Sequence, residues 1–222
     1  MVARYVLLGD VVRSSKVRDT EGFQRRLRHL MGLLNERFAP DLDAEFKILK
    51  GIDEIGAVLR SLRFLSAILS EVFFALYPGA LRIVVVYGRI TVGFSTGDVT
   101  QMDGPAFHDA ADLMESLKRE RLFFRLKAHF PLLDQAISGQ VNALTLLKIH
   151  WTPEQVEVIR AYRQHRSQLR VASLLGISQQ AVSDRLRRAH WAEIHRLETE
   201  LETLLHAYED SHLGDRALQG SR

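Results

Sequence analysis

Apolar positions along this chain change their period several times, and each change marks an expected element. Residues 4–12 carry Tyr5, Val6, Leu7 and Leu8 as a near-continuous apolar run, the pattern of a strand covered on both faces, and the run delivers Gly9 and Asp10 to its end. Residues 20–38 place Phe23, Leu27, Leu30, Met31, Leu34 and Phe38 at helical spacing until Pro40 stops them. A short strand is expected over 45–51 and a second amphipathic helix over 55–76, through Val58, Leu62, Leu65, Leu69 and Phe73. Residues 81–94 read as a long or bent strand interrupted at Gly88 and Gly93. A polar loop over 97–104 precedes Pro105, which suits the first position of a helix reaching about Arg119. Residues 122–130 then alternate apolar and basic side chains, as a solvated edge strand does. Strands alternating with helices imply an α/β or α+β architecture with helices packed on a sheet.

From residue 132 the pattern turns helical and stays so. Thr152, Pro153 and Gln155 form a helix start, with Thr152 as cap, Pro153 where its missing N–H is harmless, and Gln155 able to complete a reciprocal pair. The start marks a domain boundary near residue 150. Within residues 166–191, Ala172 supplies a small residue where two helices cross, Gly176 tolerates a left-handed turn, and Ser178 can cap the helix that follows. Val182, with Leu174, Leu175, Ile177 and Leu186, is expected to form the seam of this helix-turn-helix. Its outer face then displays Gln179, Gln180, Ser183, Asp184, Arg187 and Arg188. Glutamine pairs with adenine and arginine with guanine in a major groove, while Arg170, Arg185, Arg187 and Arg188 suit phosphates. An arginine-rich solvated surface on two packed helices is the plainer alternative. Beyond it, Ile194, Leu197, Leu201, Leu204 and Tyr208 recur at three and four residues, the seam of a short coiled coil that either packs back or pairs two subunits. Residues 211–222 are expected to fray.

Composition narrows this picture modestly. With 222 residues, 46% hydrophobic and 26% charged, the chain is long enough for two modest soluble domains. It has no cysteine, which excludes disulfides and thiolate metal sites and favours a cytoplasmic setting. No apolar run approaches the roughly 18 residues of a membrane span. The formal net charge of +3 is too small to imply a nucleic-acid partner, but its distribution is uneven: residues 153–191 carry seven arginines against three acids, whereas residues 192–215 carry one arginine against seven acids.

In the first half, Asp10 and Asp53 each follow or neighbour a glycine at the end of an expected strand. Two carboxylates brought to one sheet edge can hold Mg²⁺ with a nucleotide phosphate, with Lys47 or Lys50 near the phosphates or base. Gly-Asp is also a common way to leave a strand, so a cap or loop role stands beside the metal role. The segments LLGDVVRSSKV, FKILKGIDEIGAVL and DGPAFHDAADL, followed by the helix-turn-helix led by WTPEQ, resemble the SatD family of bacterial proteins over most of the chain. The first three are similar, more distantly, to the class III nucleotidyl cyclase fold. That resemblance implies a ferredoxin-like, cyclase-like domain over 1–130, a connecting helix over 131–150, a helix-turn-helix domain with a C-terminal helix over 151–210, and a flexible tail over 211–222. Where cyclases carry asparagine and arginine in the helix that meets the triphosphate, this chain has His108 and Asp112, and an acid there repels phosphate. The expectation is therefore a DNA-binding regulator of transcription, a homodimer on double-stranded DNA, with a degenerate sensor or dimerisation domain. A Mg²⁺-dependent enzyme or binder of nucleoside triphosphates is the rival.

Overall fold

The computed structural model describes residues 2–12, 19–50 and 54–219. The chain divides into two compact units, one formed by residues 1–142 and 201–222 and the other by residues 143–200. None of the described helices is long and apolar enough to cross a membrane.

The first unit is a mixed α/β structure. Strand β1 (Val2–Val11) is followed by helix α1 (Thr20–Phe38), strands β2 (Leu42–Lys50) and β3 (Glu54–Leu59), helix α2 (Leu65–Leu76), strand β4 (Leu81–Ile90), helix α3 (Pro105–Glu120), strand β5 (Phe124–Lys127) and helix α4 (Pro131–Lys148), which belongs to this unit as far as Asn142. The five strands form one sheet in the order β2-β3-β1-β4-β5. β1 is central and antiparallel to both β3 and β4, while β5 joins β4 in parallel. Both faces of β1 are covered, as its unbroken apolar run requires. Val6, Val58, Val84 and Val86 meet Ala106, Ala110, Met114 and Leu117 of α3. Tyr5, Leu7, Ala57, Leu59, Ile83 and Val85 are buried on the opposite face, where α1 and α2 lie. Gly88 lets α3 approach: a Cβ there would stand 3.1 Å from the Cβ of Ala106.

The helical spacing through Val58 and Leu62 predicts a helix over 55–76, and the structure corrects it. Residues Glu54–Leu59 form β3, and the helix begins only at Leu65. Ile55, Ala57, Val58 and Leu59 are wholly buried between β1 and β2. A run so buried has no polar side to reveal its period of two, so periodicity does not separate it from a buried helix.

At each edge of the sheet an asparagine from a helix pairs with strand backbone. On β2, Asn35 of α1 accepts from Phe46 N at 2.7 Å and donates to Phe46 O at 3.1 Å. On β5, Asn142 of α4 accepts from Phe123 N and Phe124 N at 2.8 and 3.1 Å and donates to Phe124 O at 2.8 Å. Ser138 Oγ accepts from Leu126 N, one further step along the same strand. These amides take the place of a neighbouring strand for backbone groups that would otherwise lack partners.

The second unit is helical. Helix α5 (Pro153–His165) starts with the full capping box, Gln155 N donating to Thr152 Oγ1 at 3.3 Å and Thr152 N to Gln155 Oε1 at 2.8 Å. Helix α6 (Gln168–Leu175) is capped by Ser167, and helix α7 (Gln179–Arg188) by Ser178, which accepts from Ala181 N at 3.1 Å. Gly176 lies between them at φ 64°, the left-handed region where a glycine is unstrained. Val171, Ala172, Val182 and Leu186 are buried between these helices, but Leu174, expected in the seam, is 56% exposed because it falls on the outer side of α6. Helix α8 (Trp191–Gln219) follows directly, and Trp151 donates to Ala189 O at 2.9 Å to hold the corner before it.

Candidate functional site

Asp10 ends β1 opposite Arg82 of β4 and Glu54 of β3. It is almost buried, and both carboxylate oxygens face cations: Lys118 Nζ of α3 stands 3.2 Å from Oδ1, and Arg82 Nη1 3.5 Å from Oδ2. Burial works against the charge on Lys118, but Glu115 at 3.1 Å and Asp10 outweigh it and raise its pKa. A cavity of about 160 Å³ opens beside this pair, lined by Leu8, Leu49, Glu54, Ile55 and Met114. Asp53 lies outside the described residues, as does the side chain of Lys50. Lys47 is 3.0 Å from Asp98, and that hydrogen bond, with those of Thr100, holds the Asp98 carboxyl down at about 2. Among the described residues no group of three or more His, Asp or Glu side chains is placed to hold a metal ion. Both oxygens of Asp10 face cations, so a metal ion held by Asp10 would have to displace Lys118 or Arg82. His108 is exposed at the start of α3, 3.0 Å from Asp103, and Asp112 is exposed on the same helix.

The end of α8 that belongs to the first unit brings together polar groups from distant parts of the chain. Glu209 is buried and accepts from Leu62 N at 2.8 Å. Tyr208 donates to Asp134 and accepts from His129 N at 2.7 Å; burial and the Asp134 carboxylate push its pKa up. His129 accepts or donates at Tyr5 Oη, 2.8 Å away, and stacks on His212 with ring centres 3.3 Å apart. Burial, then the Glu209 carboxylate, raise the Tyr5 pKa far above its ordinary value. Every one of these contacts joins residues distant in sequence, so no local pattern announces them.

In the second unit the candidate residues are those of α6 and α7. Gln179, Gln180, Arg187 and Arg188 are exposed together on α7, Arg170 is exposed on α6, and Ser183 and Arg185 are half-buried. Asp184 sits among them and organises the face: Arg187 donates to its Oδ1 at 2.7 Å, and Gln180 reaches the same oxygen at 3.4 Å. The face is therefore one of glutamine amides and guanidinium groups, with Gln180 and Arg187 tied to Asp184.

Residues 5–204 match the profile of the SatD family, and the chain belongs to that family. No curated protein matches it. Among solved structures, a bacterial light-regulated adenylyl cyclase is similar at 16% identity with a TM-score of 0.41, over 56% of this chain and 43% of that one. The alignment thus spans less than half the length of that cyclase.

Proposed function

We propose that this SatD family chain is a DNA-binding regulator of transcription in which α6 and α7 form a helix-turn-helix and the first unit is a cyclase-like, non-catalytic sensor or dimerisation domain. The observation that carries the reading is the pairing of α6 and α7. Serine caps start both helices, Gly176 turns between them in the left-handed region, and Val171, Ala172, Val182 and Leu186 are buried behind an outer face of Gln179, Gln180, Arg187 and Arg188. A helix that opens with Gln179 and Gln180 and carries Arg187 and Arg188 in its last turn suits a major groove, and Arg170 and Arg185 suit the flanking phosphates. The β-α-β-β-α-β order of the first unit supports a ferredoxin-like reading. The ion pairing of Asp10 with Arg82 and Lys118, which occupies the carboxylate that a metal would need, supports a non-catalytic first unit over turnover of a nucleoside triphosphate. As a homodimer the protein is expected to read two half-sites about one helical turn apart.

Selection of genomic fragments by the purified protein, followed by fluorescence anisotropy on the duplexes recovered, tests this. The expected result is a preferred sequence bound with an affinity that drops steeply as salt rises, because the arginines displace condensed counterions. No binding to any fragment, or binding indifferent to salt, refutes the reading.

A further inference from the structure

Resting on the DNA-binding reading, we infer that a cleft beside α7 receives a phosphate of the duplex backbone, with Arg166 and His195 as its main ligands. The cleft has a volume of about 460 Å³, and its polar lining is Tyr162, Arg166, Gln168, Ser183, Arg187 and His195, against a single acid, Glu193. Arg166 Nη1 lies 3.4 Å from His195 Nε2, and the imidazole is held parallel to the Trp191 ring, 6° from coplanar, with centres 5.1 Å apart. Among the described residues Arg166 pairs with no carboxylate, and its guanidinium gives a hydrogen bond only to the neutral acceptor His195 Nε2. An anionic oxygen at this point displaces that contact, taking the hydrogen bond of Arg166 and, from the tautomer of His195 with its proton on Nε2, a second one, while Gln168, Ser183 and Tyr162 add neutral donors of the kind that hold backbone phosphates.

Two further observations point the same way. Arg166 ends α5 in the left-handed region at φ 53°, a position where glycine caps a helix without strain. An arginine there accepts that strain and gains a guanidinium at the mouth of the cleft. Ser183 and Arg187 belong both to the cleft wall and to the outer side of α7. Because the cleft shares these two residues with the face that carries Gln179 and Gln180, a duplex seated on that face lies beside the cleft, which favours a backbone phosphate over a free one.

The test is anisotropy of the full chain against a selected duplex and a random duplex at several salt concentrations, for wild type, Arg166→Gln, His195→Gln and Gln180→Ala. Arg166→Gln and His195→Gln are expected to lower affinity about three- to tenfold for both duplexes alike, and Arg166→Gln to reduce the slope of log K against log salt by about one. Gln180→Ala instead changes the ratio between the duplexes. Should Arg166→Gln unfold, as thermal melting reports, Arg166→Lys, which keeps the slope, and His195→Gln carry the comparison. Wild-type binding with unaltered cleft variants overturns this inference and leaves the DNA reading standing. A wild type that binds no duplex overturns both. Equal affinity for inorganic phosphate and duplex, both lost in Arg166→Gln, assigns the cleft to a free phosphate and overturns the backbone role.

Discussion

Lys118 Nζ lies 3.2 Å from Asp10 Oδ1, and this contact decides the character of the carboxylate that ends β1. With Arg82 on its other oxygen, Asp10 balances two cations at a nearly buried position. It is a structural counter-ion in this arrangement, and its removal should be felt in stability before any activity is considered.

Asp10→Ala leaves Arg82 facing the protein with its Nε already buried and without a hydrogen-bond partner. A loss of about 1–3 kcal/mol is expected, seen as a lower urea midpoint. Added Mg²⁺ is expected to leave the wild-type midpoint where it was. A wild-type midpoint raised by Mg²⁺, and not raised in Asp10→Ala, would bring back the metal reading.

Asp41 gives the first unit a pH dependence. Burial, reinforced by the Glu209 carboxylate, pushes its pKa up to about 6 from an ordinary value of 3.8, against the lowering hydrogen bond that Ser61 donates to Oδ1 at 2.8 Å. The folded protein therefore holds this proton while the unfolded chain has released it, and the stability it confers is complete below about pH 4 and lost as pH rises towards 6. Asp41→Asn keeps the acceptor for Ser61 and removes the charge. It is expected to raise stability at pH 8 by about 1–2 kcal/mol and to change little at pH 4, in denaturation curves taken at both values.

Gly176 isolates the energy of the turn. A Cβ at this position meets nothing within 4 Å, so Gly176→Ala costs only the left-handed backbone, about 1–2 kcal/mol. Gly176→Asn, which tolerates that region better, is expected to cost less. The two melting temperatures order the variants. Equal losses would mean that the turn rearranges on substitution.

On the outer face of α7, Gln180→Ala and Arg187→Ala are each expected to reduce affinity for a selected duplex by about 1–3 kcal/mol while changing random duplexes less. Arg170→Ala should weaken every sequence equally. Part of the Arg187 effect is offset by its internal bond to Asp184, so Asp184→Ala is expected to tighten non-specific binding. Anisotropy on matched and scrambled duplexes distinguishes these outcomes.

What could be read from the sequence divides by distance along the chain. Helix α1 was legible over its whole length because Phe23 to Phe38 keep one apolar stripe against polar neighbours, and the Thr152 capping box, the Gly176 turn and the Ser178 cap are each complete within a few residues. Strand β3 was hidden because Ile55 to Leu59 have no solvated side to alternate with. Leu174 is apolar, which by itself points to the seam, although the helical rotation set by Val171 and Ala172 turns it outward. Asp10 could be suspected at a strand end, but its partners could not: which cation faces it depends on the register of β1 against β4 and on the placement of α3, both fixed by non-local pairing. The basic residues of the last strand suggested how its edge is protected. Arg125 and Lys127 do pair with Glu120 and Asp109, while the backbone itself is satisfied by Asn142, an ordinary mid-helix polar residue until its target is known.

Those two asparagines also restrict how the protein can associate. Sheets commonly enlarge by accepting a strand from a second molecule along an open border. Here, at Phe46 on one margin and at Phe123 and Phe124 on the other, the main-chain donors and acceptors are already satisfied from within. A strand from a second molecule that paired at these residues would first have to expel Asn35 or Asn142.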